Sequence, residues 1–376
     1  SIGIVWATPY PLIVKQGVTI LALSYCAASL ITVLTAIFQY NLHMRLIAVS
    51  STVQKIITLL LTVAAIAYWP QSYLLPLLWV TVAATMIQLM IVIGAVQKIS
   101  PLRFVIDRKW WQRILLISWP IALTTALNLV YFKMDTVILS WYRPAAEVGL
   151  YGASYRVLEI ITTFPHMFMG LILAPLTAAW VAKDSDRLRS LWQRSWEFFA
   201  LIVMPLITGG FVLAEPVMVL IAGPEFIGAA PILQILLLAT GAIFFGVLFT
   251  YMVLVVGRQK ALIPSFIVAA IGAILAYIYF IPLYGMLAAA WITVIIEIFI
   301  ALAAWKVTAK EYVCRPPLIS SLKILAASLL MAVVLASLPI SSVLIQILVG
   351  VTLYGILLFA FRALRWSEIN HLLSWS

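Results

Sequence analysis

The sequence predicts an all-α protein that crosses a membrane many times, and three observations carry that prediction. Hydrophobic residues make up 65% of the chain and charged residues 9%, against roughly 25% charged in a typical soluble domain. Apolar runs of about twenty residues, enough to cross about 30 Å of hydrocarbon as a helix, recur from one end to the other. Lysine and arginine gather in alternate connections between those runs. The formal net charge of +11 then reflects orientation and contact with anionic membrane lipids, and no nucleic acid partner is implied. Cys26 sits in an apolar span and Cys314 in a basic loop, which gives neither a disulfide framework nor metal-ligand spacing.

In order, about eleven spans are expected. Three come first, at 15–38, 46–68 and 73–97, and a basic linker, SPLRFVIDRKWWQR, follows them. Six more lie at 113–141, 147–180, 193–214, 230–256, 260–281 and 284–306. The 147–180 span is longer than the hydrocarbon requires, so tilt and a kink at Pro165 are expected. The outer connection EPVMVLIAGPEFIGAAP, Glu215 to Pro231, is apolar and expected to lie in the membrane interface. A second linker, KVTAKEYVCRPP, precedes a final pair at 319–338 and 342–362. Charge and proline cluster in both linkers, so the expected organisation is an incomplete first lobe at 1–97, a linker at 98–112, a six-helix lobe at 113–306, a linker at 307–318, an extra helix pair at 319–362 and a tail at 363–376. The chain opens at Ser1 inside what reads as the tail of an apolar span, SIGIVWATPYP, so an N-terminal part is expected to precede it.

Nearly every lysine and arginine falls on one side under this topology. The exceptions are Lys15 and Arg143 on the other side, and Lys133 and Arg156 within spans. The basic side is therefore the cytoplasm, with the C-terminus there. Trp69 and Trp141 on the outer side, and Trp110, Trp111, Trp192, Trp305 and Trp366 on the inner, read as interfacial belt residues. A short echo links GLYGAS at Gly149 to PLYGMLAAAW at Pro282, each opening a span on the outer side.

Chemistry concentrates in NLVYFKMDTVILSWYRPAAEVGLYGASYRVLE, Asn128 to Glu159. Lys133 and Asp135 on one span, and Arg156 and Glu159 on the next, each cost roughly 2.5–3.5 kcal/mol at a helix centre, so lipid is an improbable neighbour for four of them. At 100° per residue Thr124, Asn128, Tyr131 and Asp135 share a stripe while Lys133 lies on another face. Gly152, Arg156, Glu159, Thr163 and His166 form a second stripe. Two readings stand side by side here. The stripes line a watery cavity, or Arg156 and Glu159 neutralise each other, Lys133 pairs with a neighbouring helix, and all of them serve packing. Glu297 admits the same two readings, and His166 beside Pro165 reads more readily as a packed residue than as a proton relay. Asp184-Ser185-Asp186 has the DxD form of metal-dependent glycosyltransferases, but RLRSLWQR follows at once and helix capping explains it better. No nucleotide loop or metal-ligand spacing points to an enzyme or to a cofactor.

The span ending YFKMDTVILSW, the short turn, EVGLYGASYRVLE and the proline-interrupted helix after it resemble the polysaccharide biosynthesis (Wzx-type) flippases of the multidrug, oligosaccharidyl-lipid and polysaccharide exporter superfamily. TAIFQYNLHMR and PLYGMLAAAW extend the likeness more loosely. The resemblance implies two six-helix lobes with an extra pair at the end, of which nearly three helices of the first lobe lie outside this chain. It implies alternating access that carries an undecaprenyl-diphosphate-linked oligosaccharide across the bacterial inner membrane, with a polysaccharide polymerase as a downstream partner. A hydrophilic cleft would take the sugar and pyrophosphate while the lipid tail stays in the bilayer.

On that template Lys133 and Arg156 are candidate partners for pyrophosphate or acidic sugars. Asn128, Tyr131 and Thr163, with a second stripe of Tyr25, Thr32, Thr35 and Gln39, are candidates for sugar hydroxyls, and Asp135, Glu159 and Glu297 for proton or sodium coupling. Pro120, Pro165, Gly170, Pro205, Gly209 and Gly210 are expected to let helices bend. Three other readings remain open: a peptidoglycan-precursor flippase, a multidrug or cation antiporter of the same superfamily, against which the two cations weigh, and a membrane glycan polymerase or ligase, which would want a large outer loop.

Overall fold

A computed structural model describes residues 11–40, 44–68, 74–99, 107–312, 316–338 and 342–361. Every regular element among them is helical. The chain divides into two compact units, 1–111 and 112–376.

The first unit contains α1 (Leu12–Tyr40), α2 (Met44–Tyr68) and α3 (Leu74–Ile99). α3 packs on both others. Its core is small, built from Ile31, Phe38, Val92 and Val96, and a polar contact ties α1 to α3, Ser24 Oγ to Thr85 Oγ1 at 3.1 Å. The hydroxyls of Thr32 and Thr35 donate to carbonyls of their own helix, those of Ala28 and Thr32. Such back-bonding lets a threonine sit in an apolar span without an outside partner. Tyr25 is exposed. The side chains of Gln39, Pro120 and Thr124 lie outside the described ones, as do residues Trp69 and Trp366.

The second unit holds all but the first four residues of α4 (Arg108–Tyr142), together with α5 (Ala145–Val181), α6 (Ser185–Val212), α7 (Ala214–Ala222), α8 (Ala230–Val255), α9 (Ile263–Ala309), α10 (Leu318–Ser337) and α11 (Val343–Ala360). Short 3-10 turns at Pro224–Ala229 and Gln259–Leu262 precede α8 and α9. α8 is the axis, with α5, α6 and α9 packed around it. Small residues permit that closeness: a Cβ on Gly210 would lie 2.7 Å from Leu237 Cδ1, and one on Gly241 2.8 Å from Ile207 Cδ1. Gly209 and Gly210, expected as bending points, thus sit in tight helix contacts. α10 and α11 dock on α6 through Trp196 Nε1 to Ser321 Oγ (3.0 Å), Thr208 Oγ1 to Ser328 O (3.1 Å) and Tyr354 Oη to Leu201 O (3.0 Å).

Helix ends follow local chemistry. Asp184 caps α6 by accepting from Arg187 N at 3.0 Å, so the DxD triplet is a helix start. α6 consequently begins eight residues before the expected span at 193, since arginines on its first turns lower apolarity without breaking a helix that starts outside the hydrocarbon. α8 ends in a Schellman turn, Gly257 (φ 72°) donating to Leu254 O and Arg258 N to Val253 O. α5 closes the same way with Lys183 at φ 56°, donating to Trp180 O, and Asp184 N to Ala179 O. α5 runs through Pro165 and Pro175 as one helix.

Nine helices among the described residues are long and apolar enough to cross a membrane. Counting α9 as two spans and adding the 35-residue α4 brings the number to the eleven expected. The 215–231 connection is folded as α7 and a 3-10 turn, with Ala214, Met218 and Ala229 buried against Leu233 and Leu237 of α8 and Leu220, Ile221 and Ile227 exposed. One expectation needs correction. Trp192 is not a belt residue: it is 1% exposed and packed at a tilt against Trp196 and Phe249, because α6 turns that face to α8.

Candidate functional site

The stretch richest in intramembrane charge becomes the antiparallel pair α4–α5, joined by a tight turn at Arg143–Pro144. Pro144 suits the position before a helix, and Glu147 in the first turn of α5 favours its dipole. The structure sorts the charged and polar residues of this pair into three environments.

The first is an ionic group on the exposed face. Lys133 Nζ bonds Glu159 Oε1, and Arg156 Nη1 bonds Glu159 Oε2 at 3.1 Å, so one carboxylate serves two cations. Lys133 also stands over the Tyr155 ring, 5.3 Å from its centroid. The side chains of Lys133 and Arg156 are 49% and 75% exposed and that of Glu159 27%, so the group faces away from the core of its own unit and keeps one unmatched positive charge. Lys133 lies nine residues before the end of α4, and Arg156 eleven residues into α5. At about 1.5 Å per residue that is roughly 14–16 Å from the helix ends at the turn, about half the length that about 30 Å of hydrocarbon requires. Thr163, also exposed, donates to Glu159 O at 2.9 Å on the same helix face.

The second environment is buried. Asp135 is fully enclosed and accepts from Tyr151 Oη at 2.5 Å, from Thr136 N at 2.5 Å and from Thr136 Oγ1 at 3.1 Å. Tyr151 is equally buried, and Tyr155 Oη donates to Phe132 O at 2.7 Å nearby. Each donor to Asp135 comes from α4 or α5, so the carboxylate locks the two helices together.

The third is a cavity of about 260 Å³ inside the second unit, whose polar lining includes Asn128, Tyr131, His166, Thr250, Tyr251 and Glu297 but not Asp135. Asn128 Nδ2 donates to Tyr131 Oη at 2.8 Å. Tyr277 Oη lies 3.4 Å from Tyr131 O and 3.5 Å from Thr293 Oγ1, tying the two halves of α9 to α4. Glu297 is 6% exposed, and its Oε1 has no hydrogen-bond partner among the described residues. A buried carboxylate oxygen left open beside a polar cavity is costly unless a proton, a cation or water completes it.

Of the residues singled out from the sequence, the structure therefore brings Asn128, Tyr131 and Glu297 to one cavity and Lys133, Arg156, Glu159 and Thr163 to one exposed face, and sets Asp135 apart from both. Among the described residues no cluster of histidine, cysteine or carboxylates is arranged to hold a metal ion. Sequence reasoning misses Tyr151 and Tyr277, since contacts between helices leave no periodic trace. It also misses the role of Arg143 and Glu147, which reach the interruption in α9. Arg143 Nε and Nη2 donate to Ile281 O (3.3 Å) and Pro282 O (3.0 Å), and Met286 N donates to Glu147 Oε1 at 2.7 Å. The signal available for it is an i,i+4 charge pair facing a Pro-x-x-Gly break.

A family model described as polysaccharide biosynthesis protein matches residues 11–231. Among solved structures, the chain is similar to one titled lipid II flippase MurJ, inward closed conformation, with a TM-score of 0.71 at 16% identity, over 93% of this chain and 73% of that one. No curated protein matches. At that identity the likeness is one of fold.

Proposed function

Because the chain belongs to the polysaccharide biosynthesis protein family, we propose that it is a flippase, not an enzyme, that carries an undecaprenyl-diphosphate-linked oligosaccharide from the cytoplasmic to the outer leaflet of a bacterial inner membrane by alternating access. The observation that supports this most is the ionic group of Lys133, Glu159 and Arg156. Two cations kept exposed at mid-membrane depth make no sense against acyl chains, and a surplus positive charge there suits a diphosphate. Thr163 adds a hydroxyl on the same face, and Asn128 and Tyr131 offer hydrogen bonds to sugar hydroxyls from the neighbouring cavity.

Glu159 already holds both cations in place, so in this reading it tunes them: an arriving diphosphate replaces its contacts at little cost, because exposed pairs of this kind are weak. Coupling to a proton or sodium ion fits Glu297 better than Asp135 or Glu159. Asp135 is saturated by three donors and Glu159 by two cations, whereas Glu297 has an open oxygen beside a polar space. A polysaccharide polymerase then receives the product on the outer side.

The test is Arg156→Ala in the full-length protein. Surface glycan should fall strongly while the amount of inserted protein stays unchanged. Normal glycan display by an inserted Arg156→Ala protein refutes the assignment. Loss of cell-wall synthesis with surface polysaccharide intact points instead to the peptidoglycan-precursor reading, and altered drug resistance alone to an antiporter.

A further inference from the structure

The interruption in α9 is built as two helix ends meeting, and charges from another part of the chain cap both. Gly285, at φ 59° and ψ −137°, breaks the helix. Ile281 and Pro282 lie just before the break, and their carbonyls accept from Arg143. Met286 begins the second half, and its free amide donates to Glu147. The arrangement matches the dipoles: a cation sits at the C-terminal end of one half and a carboxylate at the N-terminal end of the other. Arg143 Nε and Glu147 Oε2 also lie 4.0 Å apart on the α4–α5 turn.

The cap links distant chemistry. α4 and α5 carry the ionic group, while the second half of α9 carries Glu297 in the cavity wall and its first half carries Tyr277, which bridges Tyr131 and Thr293. Both halves of α9 line the cavity, Phe266 on the first and Glu297 and Ile300 on the second, and the α4–α5 turn caps the break between them. We infer that Arg143 and Glu147 form a latch on the α9 interruption, positioning both halves so that access to the Glu297 cavity changes only when the latch opens. The effect on export rests on the reading of Glu297 as the coupling site, but the latch itself does not.

The test uses the full chain with Cys26 and Cys314 replaced by alanine and a reporter, Thr250→Cys, in the cavity lining. Labelling by a water-soluble maleimide measures access without reference to any transported molecule. In Arg143→Ala, losing two charge-assisted hydrogen bonds should speed labelling by about tenfold or more, with folded protein in normal amount. Arg143→Lys, which keeps the charge but lacks the planar fork, should give a smaller rise. The exchange Arg143→Glu with Glu147→Arg preserves the ion pair but turns each charge toward the wrong helix end, and should behave like Arg143→Ala. Unchanged labelling in Arg143→Ala, or parental labelling in the exchanged pair, overturns the latch. If Arg143→Ala does not insert, Arg143→Lys decides by the same criterion. Faster labelling with normal export leaves the latch standing and removes the cavity from the transport reading.

Discussion

Replacing Gly285 by alanine should be among the most damaging single-methyl additions in the molecule. At φ 59° and ψ −137° the backbone occupies a region essentially reserved for glycine, and forcing another residue there costs on the order of 1–3 kcal/mol. The new Cβ would also overlap Glu147 Oε1, lying 3.0 Å from Glu147 Cδ and 3.1 Å from Arg143 Nε. Glu147 would have to leave Met286 N, and a hydrogen bond to a charged group contributes about 1.5–3 kcal/mol. The two effects act on one spot and together predict a loss of roughly 3–5 kcal/mol, at the upper end of what point substitutions do. Gly272, on the first half of the same helix, has nothing within 4 Å of the place an added methyl group would take, so Gly272→Ala should be stabilising by about 0.4–1 kcal/mol. Unfolding of the purified proteins in bicelles, titrated with a denaturing detergent, compares the pair. A Gly285→Ala protein within about 1 kcal/mol of its parent would refute the account of the interruption, whatever the protein carries.

Tyr151→Phe should destabilise by about 1–2 kcal/mol, since it removes a donor from the fully buried Asp135; membrane double-mutant cycles reach about 1.7, and a Tyr151→Phe with Asp135→Asn cycle showing no coupling would dismiss the contact. Glu297→Gln should leave stability equal or slightly higher, because a neutral amide is less costly to bury than a carboxylate, while export loses its dependence on the proton or sodium gradient. Parental export that ignores collapse of each gradient in turn rules coupling out. Lys183→Gly should stabilise by about 1 kcal/mol, because a side chain held at φ 56° gives way to a residue without the left-handed penalty; an unchanged melting curve would count against it.

Much of the fold is legible in the sequence because spans are long and apolar, and because charge and proline mark where they end. The errors have physical causes. α7 is too short to register as a span, and its apolarity alone does not show that Ala214 and Met218 turn inward while Leu220 and Ile221 stay exposed. Trp192 is no different in composition from the other tryptophans at span ends, and only the packing of α6 on α8 shows which way it points. At the site, helical phase separates Lys133 from Asp135 on α4, and the structure places one on the exposed face and the other inside. Phase alone groups Asp135 with Asn128 and Tyr131. What parts them is Tyr151, arriving from α5. Arg143 is legible only as a marker of sidedness, since its second role depends on a carbonyl 139 residues away.

α8 and α11 are equally apolar in composition, yet the most apolar stretch reaching through α8 is 61% buried and that of α11 only 11%. In one the greasy side chains answer to neighbouring helices, in the other to the bilayer. Evolution should therefore read them differently: α11 can drift among leucine, isoleucine and valine with little effect, whereas α8 must keep shape, and a change of one methyl group there will be felt by three partners at once. Lipid thickness will tune the periphery of this unit and leave its axle untouched.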